Sequence, residues 1–222
     1  MYQTIIFDYG NTLCQVGSLT ASLEAILPSR NARTIGEELD AQILRLYTPD
    51  QKEQPDWLEV WEQAFKKFDE PFTQAIGIAH LQHFCASGTL YRDTKAMLSS
   101  LKDQGVTLVL LSNATGPEEV FWNDLAHRGI LKFFDRAIWS CAIGYRKPSP
   151  LAFEQAIKSV GAEPSTTLVV GDSEIADIQG ANNYGLDSLL VYNHPPDCTA
   201  ARYSTSHKQL FALLKRLIIM PG

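Results

Sequence analysis

Five side chains of this 222-residue chain are of types that can act jointly on an electrophilic centre: Asp8, Ser112, Lys147, Asp172 and Asp177. They offer carboxylates for a cation, a hydroxyl and an ammonium for an oxyanion, and one carboxylate free to attack. None decides the chemistry alone. Asp8 ends the apolar run at 4–7 and is followed at once by a turn. A carboxylate there either caps the turn or serves as nucleophile or metal ligand. Ser112, with Asn113, ends the run at 106–111. Lys147 follows a shorter run at 137–140. Asp172 comes just after the run at 167–170, and Asp177 stands five residues further on. The plain alternatives are turn or cap chemistry for Ser112 and for Thr12 in the first turn, a solvated charge for Lys147, and dipole compensation for Asp177.

The elements that must position these groups follow from pattern. Short β-rich runs bounded by turn residues read as buried strands, and a further one is expected at 188–192. Between them lie helix signals. Asp93 or Thr94 can cap a helix that ends near Gly105. Pro117 with Glu118 and Glu119 opens another, Ser149-Pro150 a third that Gly161 stops, and a fourth runs from about 174 to 184. Ser206-His207-Lys208-Gln209 has capping-box spacing before a last amphipathic helix. Strands alternating with helices predict an α/β fold with a doubly wound, Rossmann-like parallel sheet. In such a sheet all strand carboxyl ends share one edge, where ligands sit. The five groups then converge on one pocket. Asp177 falls one turn into a helix, and helical side chains lean toward the N-terminus, so it can point back at the same place.

Residues 15–90 break the alternation. They carry four helix signals and no convincing strand: 19–27 stopped by Pro28, a capping box at Thr34-Ile35-Gly36-Glu37, a helix with Pro55 at its first position, and 73–86. The expectation is an all-helical domain, 15–90, inserted into a core built from 1–14 and 91–222. Trp57, Trp61 and Phe65 recur at helical spacing and read as that domain's core rather than a base-stacking surface. His80 and His83 stand three apart on one helix with no third ligand in sight, and read as ordinary helix histidines.

Composition narrows the class. Lys plus Arg total 19 against 25 Asp plus Glu, a net charge of −6. That argues against nucleic acid or an anionic membrane as the main partner. Four scattered cysteines without a C-x-x-C pair fit free thiols in a reducing cytoplasm. Met1-Tyr2-Gln3-Thr4 runs straight into the first strand, so no signal peptide is expected, and no apolar run approaches a membrane span. A cytoplasmic location is the expectation; oligomeric state is not readable.

Four motifs in order, FDYGNTL at 7–13, LLSNAT at 110–115, RKPSP at 146–150 and VVGDSEIAD at 169–177, resemble those of the haloacid dehalogenase-like hydrolases. The resemblance covers roughly two-thirds of the chain and implies a phosphatase-type member with a mobile helical cap. It implies Asp8 as nucleophile and Mg²⁺ held by Asp8, the Gly10 carbonyl, Asp172 and Asp177. Thr12, Ser112, Asn113 and Lys147 would bind a small phosphorylated substrate. One departure stands out. The family's phosphatases carry a second Asp two residues after the nucleophile, and this chain has Gly10. That keeps two alternatives open: a metal-independent 2-haloacid dehalogenase, and a phospho-ligand-binding protein with weak or no turnover.

Overall fold

Residues alternate across the central strands as the pleat requires. In strand β1 (Thr4–Phe7), Ile5 and Phe7 enter one core and Ile6 the other. In the computed structural model, which describes residues 1–218, each face of the sheet therefore has its own hydrophobic layer. A two-residue strand β2 (Cys14–Gln15) follows the first turn, and then come four helices: α1 (Leu19–Ile26), α2 (Ala32–Arg45), α3 (Trp57–Lys66) and α4 (Gln74–Ser87). Strand β3 (Thr89–Leu90) pairs antiparallel with β2 and closes this block. The expectation of no strand within 15–90 is corrected here. Two residues are too few for alternation to show, and the ribbon exists because the block's two connections run side by side.

The core continues with α5 (Thr94–Asp103), β4 (Thr107–Ser112), α6 (Glu118–His127), β5 (Arg136–Trp139) and α7 (Ser140–Ile143). It goes on through α8 (Pro150–Val160), β6 (Thr167–Gly171), a π-turn (Glu174–Gln179) leading into α9 (Gly180–Tyr184), β7 (Asp187–Tyr192), β8 (Tyr203–Ser206) and α10 (His207–Ile218). The six-stranded sheet has the order β5-β4-β1-β6-β7-β8 and is parallel throughout. Helices α5, α6 and α10 cover one face, with Leu98, Leu125 and Leu214 fully buried; α8 and α9 cover the other with Phe153 and Ala181. Strand β8, Tyr-Ser-Thr-Ser, carries no apolar alternation because it is an edge strand. The sequence gives no sign of it.

The helical block forms a cap with its own core, in which Trp61, Phe65, Leu23 and Leu39 are buried. His80 is fully buried: its Nδ1 lies 3.1 Å from Trp61 Nε1 and its Nε2 2.8 Å from Leu19 O. Burial pushes its pKa down. His83 is exposed, so the two histidines share no site. Two helix starts differ from expectation. Helix α2 begins at Ala32, ahead of the Thr34 box, because the Asn31 amide is tied to Phe68 O and Glu70. Helix α3 is capped by Asp56, which accepts from Leu58 N at 2.9 Å, leaving Pro55 outside it.

Candidate active site

Strand β1 is flanked by β4 and β6, and the chain reverses its direction of travel across the sheet beside it. At this switch point the three strand ends place Asp8, Ser112 and Asp172 around one crevice. The loop after β1 is tight: Leu13 N and Cys14 N both donate to Tyr9 O, and Asn11 takes a left-handed φ of 53° that asparagine tolerates better than most residues. Asp8 is buried. Its Oδ1 accepts from Ser112 Oγ at 3.0 Å and from Lys147 Nζ at 2.7 Å, and its Oδ2 from Thr12 Oγ1 at 3.3 Å.

Lys147, 3% exposed, also reaches Asp177 Oδ1 at 2.6 Å. The two carboxylates hold it protonated and push its pKa up despite burial. The Asn113 side chain brackets the Lys147 backbone, accepting from its N at 2.8 Å and donating to its O at 2.9 Å. In this arrangement Asn113 positions the lysine. Asp177 arrives through the π-turn, with its Oδ2 accepting from Ser173 N at 3.0 Å. A Cβ on Gly171 would stand 2.2 Å from the Asp177 carboxyl carbon, so only glycine at that strand end admits the carboxylate.

One carboxylate oxygen each of Asp8, Asp172 and Asp177 lie within 4.8 Å of one another. Asp172 hydrogen-bonds no other residue among those described. Burial first, then the nearby Asp8 and Asp177, push its pKa up, and burial does the same to Asp177. Three carboxylates face one ammonium, so the cluster carries surplus negative charge. It fits a hard cation that prefers oxygen ligands. Gly10 lines the same space.

Above the cluster a cavity of about 510 Å³ separates core from cap. Its floor is Asp8, Lys147 and Asp172, and Leu44, Tyr47 and Phe84 of the cap form its roof. That is the size and character of a small-molecule site.

The sequence pattern of the haloacid dehalogenase-like hydrolases matches residues 2–185. The chain belongs to that family. Within these hydrolases it is similar to the phosphoglycolate phosphatase of Neisseria gonorrhoeae, at 28% identity over 200 residues, covering 85% of this chain and 79% of that one. It is 34% identical to the glyceraldehyde 3-phosphate phosphatase of Methanothermobacter thermautotrophicus over 101 residues, 46% of this chain and only 44% of that relative's length. Among solved structures, a HAD phosphatase from Thermococcus onnurineus superposes with a TM-score of 0.70 at 23% identity, covering 96% and 98% of the two chains. The L-2-haloacid dehalogenase from Xanthobacter autotrophicus with covalently bound chloropropionic acid gives 0.73 at 17%, covering 97% and 99%. At these identities the structures establish the shared fold. The haloacid dehalogenase-like fold thus brings Asp8, Thr12, Ser112, Lys147, Asp172 and Asp177 together. Three groups that face the cavity or brace it were not singled out from sequence: Tyr47, Gln54 and Arg146. Arg146 had a signal, a second cation beside Lys147; the two cap residues had none.

Proposed function

We propose that this hydrolase is a Mg²⁺-dependent phosphatase acting on a small phosphorylated metabolite through an aspartyl-phosphate on Asp8. The observation that carries the reading is the Asp8–Asp172–Asp177 cluster with Lys147 bridging two of its members. Asp8 attacks phosphorus, the ester oxygen leaves, and water then splits the acyl-phosphate to release inorganic phosphate and restore Asp8. Each step is easier than the direct hydrolysis. Ser112 and Lys147, already aimed at Asp8, hold the non-bridging oxygens on which charge accumulates. Asp8, Asp172, Asp177 and the Gly10 carbonyl would hold the ion, which supplies charge neutralisation at the phosphate. Relatives named as phosphatases of small phosphorylated compounds support the substrate class. The cap, residues 15–90, joined to the core at the β2–β3 ribbon, would open and close over the site.

The Asp172–Asp177 pair counts against a metal-independent dehalogenase, which needs no cation site. The test is phosphate release from a panel of phosphorylated metabolites, with Mg²⁺ and with excess chelator, beside chloride release from 2-haloacids. Asp8→Asn is expected to abolish turnover with an unchanged melting temperature. Asp172→Ala is expected to weaken Mg²⁺ binding by titration calorimetry. Full activity in chelator, with chloride released, would overturn the reading.

A further inference from the structure

The cavity holds two buried cations, and phosphoryl chemistry accounts for one of them. Lys147 faces Asp8 and Asp177. Arg146, the residue before it, lines the same cavity and is 1% exposed. Its Nη1 donates to Gln54 Oε1 at 2.8 Å and to Thr115 Oγ1 at 3.1 Å, both neutral. Its Nε is buried without any hydrogen-bond partner. Among the described residues no carboxylate pairs with it. The other carboxylates around the cavity are engaged elsewhere: Asp124 with Arg128, and Asp40 with Thr20.

A guanidinium stays charged even when burial works against it. Buried charges in folded proteins are paired, because an unpaired one forfeits its hydration. Here the missing partner has room in the cavity. The Tyr47 ring lies 5.3 Å from Arg146 Cζ, and the same tyrosine feels the charges of Asp8, Lys147 and Asp172. The arginine and the carboxylate cluster thus line one space.

We propose that Arg146 reads a second anionic group on the substrate, a carboxylate or a further phosphate a short chain away from the phosphate that Asp8 attacks. The inference rests on the phosphatase reading above. A guanidinium that lines the cavity and has no carboxylate partner suits an oxyanion, and the charge makes that contact a strong one. Tyr47 covers that contact from the cap, and Gln54 sets the guanidinium plane. A site built to bond a group rejects the analogue lacking it, because its donors are then left unpaired.

The test uses three compounds of one carbon skeleton: 3-phosphooxypropionate, propane-1,3-diyl bisphosphate and 3-hydroxypropyl phosphate. p-Nitrophenyl phosphate serves as the reaction control. Wild type is expected to favour one or both of the compounds anionic at each end over the hydroxyl compound by roughly tenfold or more in kcat/KM, mostly through KM. The two arms tell carboxylate from phosphate. Gln54→Glu supplies Arg146 with a protein carboxylate and is expected to bring the ratio toward one. Arg146→Gln does the same, and Arg146→Lys restores part of it. Equal rates on all three compounds, or a preference that survives Gln54→Glu and Arg146→Gln, would overturn the assignment. Gln54→Glu is nearly isosteric and carries the test if the arginine variants misfold. If wild type releases no phosphate even from p-nitrophenyl phosphate, the phosphatase reading falls. Calorimetric binding of the same three compounds then decides on Arg146 by itself, with equal affinities overturning it.

Discussion

Gly10 is the residue on which the chemistry turns. In related phosphatases a carboxylic acid at that place protonates the leaving oxygen, help worth roughly 10²–10⁴-fold. Glycine supplies none. Slow hydrolysis of alkyl phosphates is therefore expected, with aryl and acyl phosphates turned over far faster because their leaving groups need no proton. A steep dependence of chemical rate on leaving-group pKa is the signature. The backbone of Gly10 is not left-handed, and an added Cβ would meet only Val16 Cγ1, at 3.1 Å, the end of a side chain that can shift. Gly10→Asp is thus expected to fold, to flatten the leaving-group dependence and to raise the alkyl-phosphate rate. Similar wild-type rates on alkyl and aryl phosphates would mean that another group already acts as the acid.

At the scale of elements, close approach decides more than propensity. Gly36 sits inside helix α2, where glycine weakens a helix. It is there because α1 crosses so near that a Cβ would stand 2.5 Å from Thr20 Cα, a backbone atom that cannot step aside. Gly36→Ala is expected to destabilise the cap by about 1–3 kcal/mol, the cost of overpacking. Thermal unfolding followed by tryptophan fluorescence reads it, since Trp57 and Trp61 lie in the cap. An unchanged or raised melting temperature would show that α1 and α2 can separate at little cost. A second device ties elements together beside the ribbon. Tyr9, next to Asp8, donates to Asp124, and Arg128 grips both Asp124 and the carbonyls of Cys85 and Gly88. The end of α4 and the first loop of the core thus share one anchor.

For the whole molecule, two contacts between cap and core matter besides the α4–α6 packing and the Arg128 anchor. One is the ribbon. The other is a strap in which Gln54 N donates to Gly144 O and Arg146 N to Lys52 O, both at 2.9 Å. The Gln54 side chain plugs it, lying 2.6 Å from Ser140 Oγ and 2.8 Å from Arg146 Nη1. In the cap opening proposed above, the ribbon holds the two chain connections and the strap is the side that would release. Gln54→Ala removes the plug and leaves buried partners unmet, a loss of about 1–3 kcal/mol. Hydrogen exchange at 52–54 and 144–146 is expected to speed up while the central strands keep their protection. Unchanged exchange there would place the closing contact elsewhere.

The central strands, their alternation and the carboxylates at their ends were legible because each is local. A buried strand needs four to six apolar residues and a turn, and a strand-end Asp is visible beside it. Asp8, Ser112, Lys147, Asp172 and Asp177 could be named together because a parallel sheet puts every strand end on one edge. The helical insert showed itself as broken alternation. What the sequence could not yield depends on neighbours distant along the chain. Strand β8 exists only because β7 offers an edge, and the β2–β3 ribbon only because two connections meet. Helix α2 starts early because Glu70, 39 residues away from Asn31, holds it. The isolation of Arg146 is of the same kind. Its sequence shows a cation, but that no carboxylate among the described residues comes to meet it is a property of the packed molecule alone.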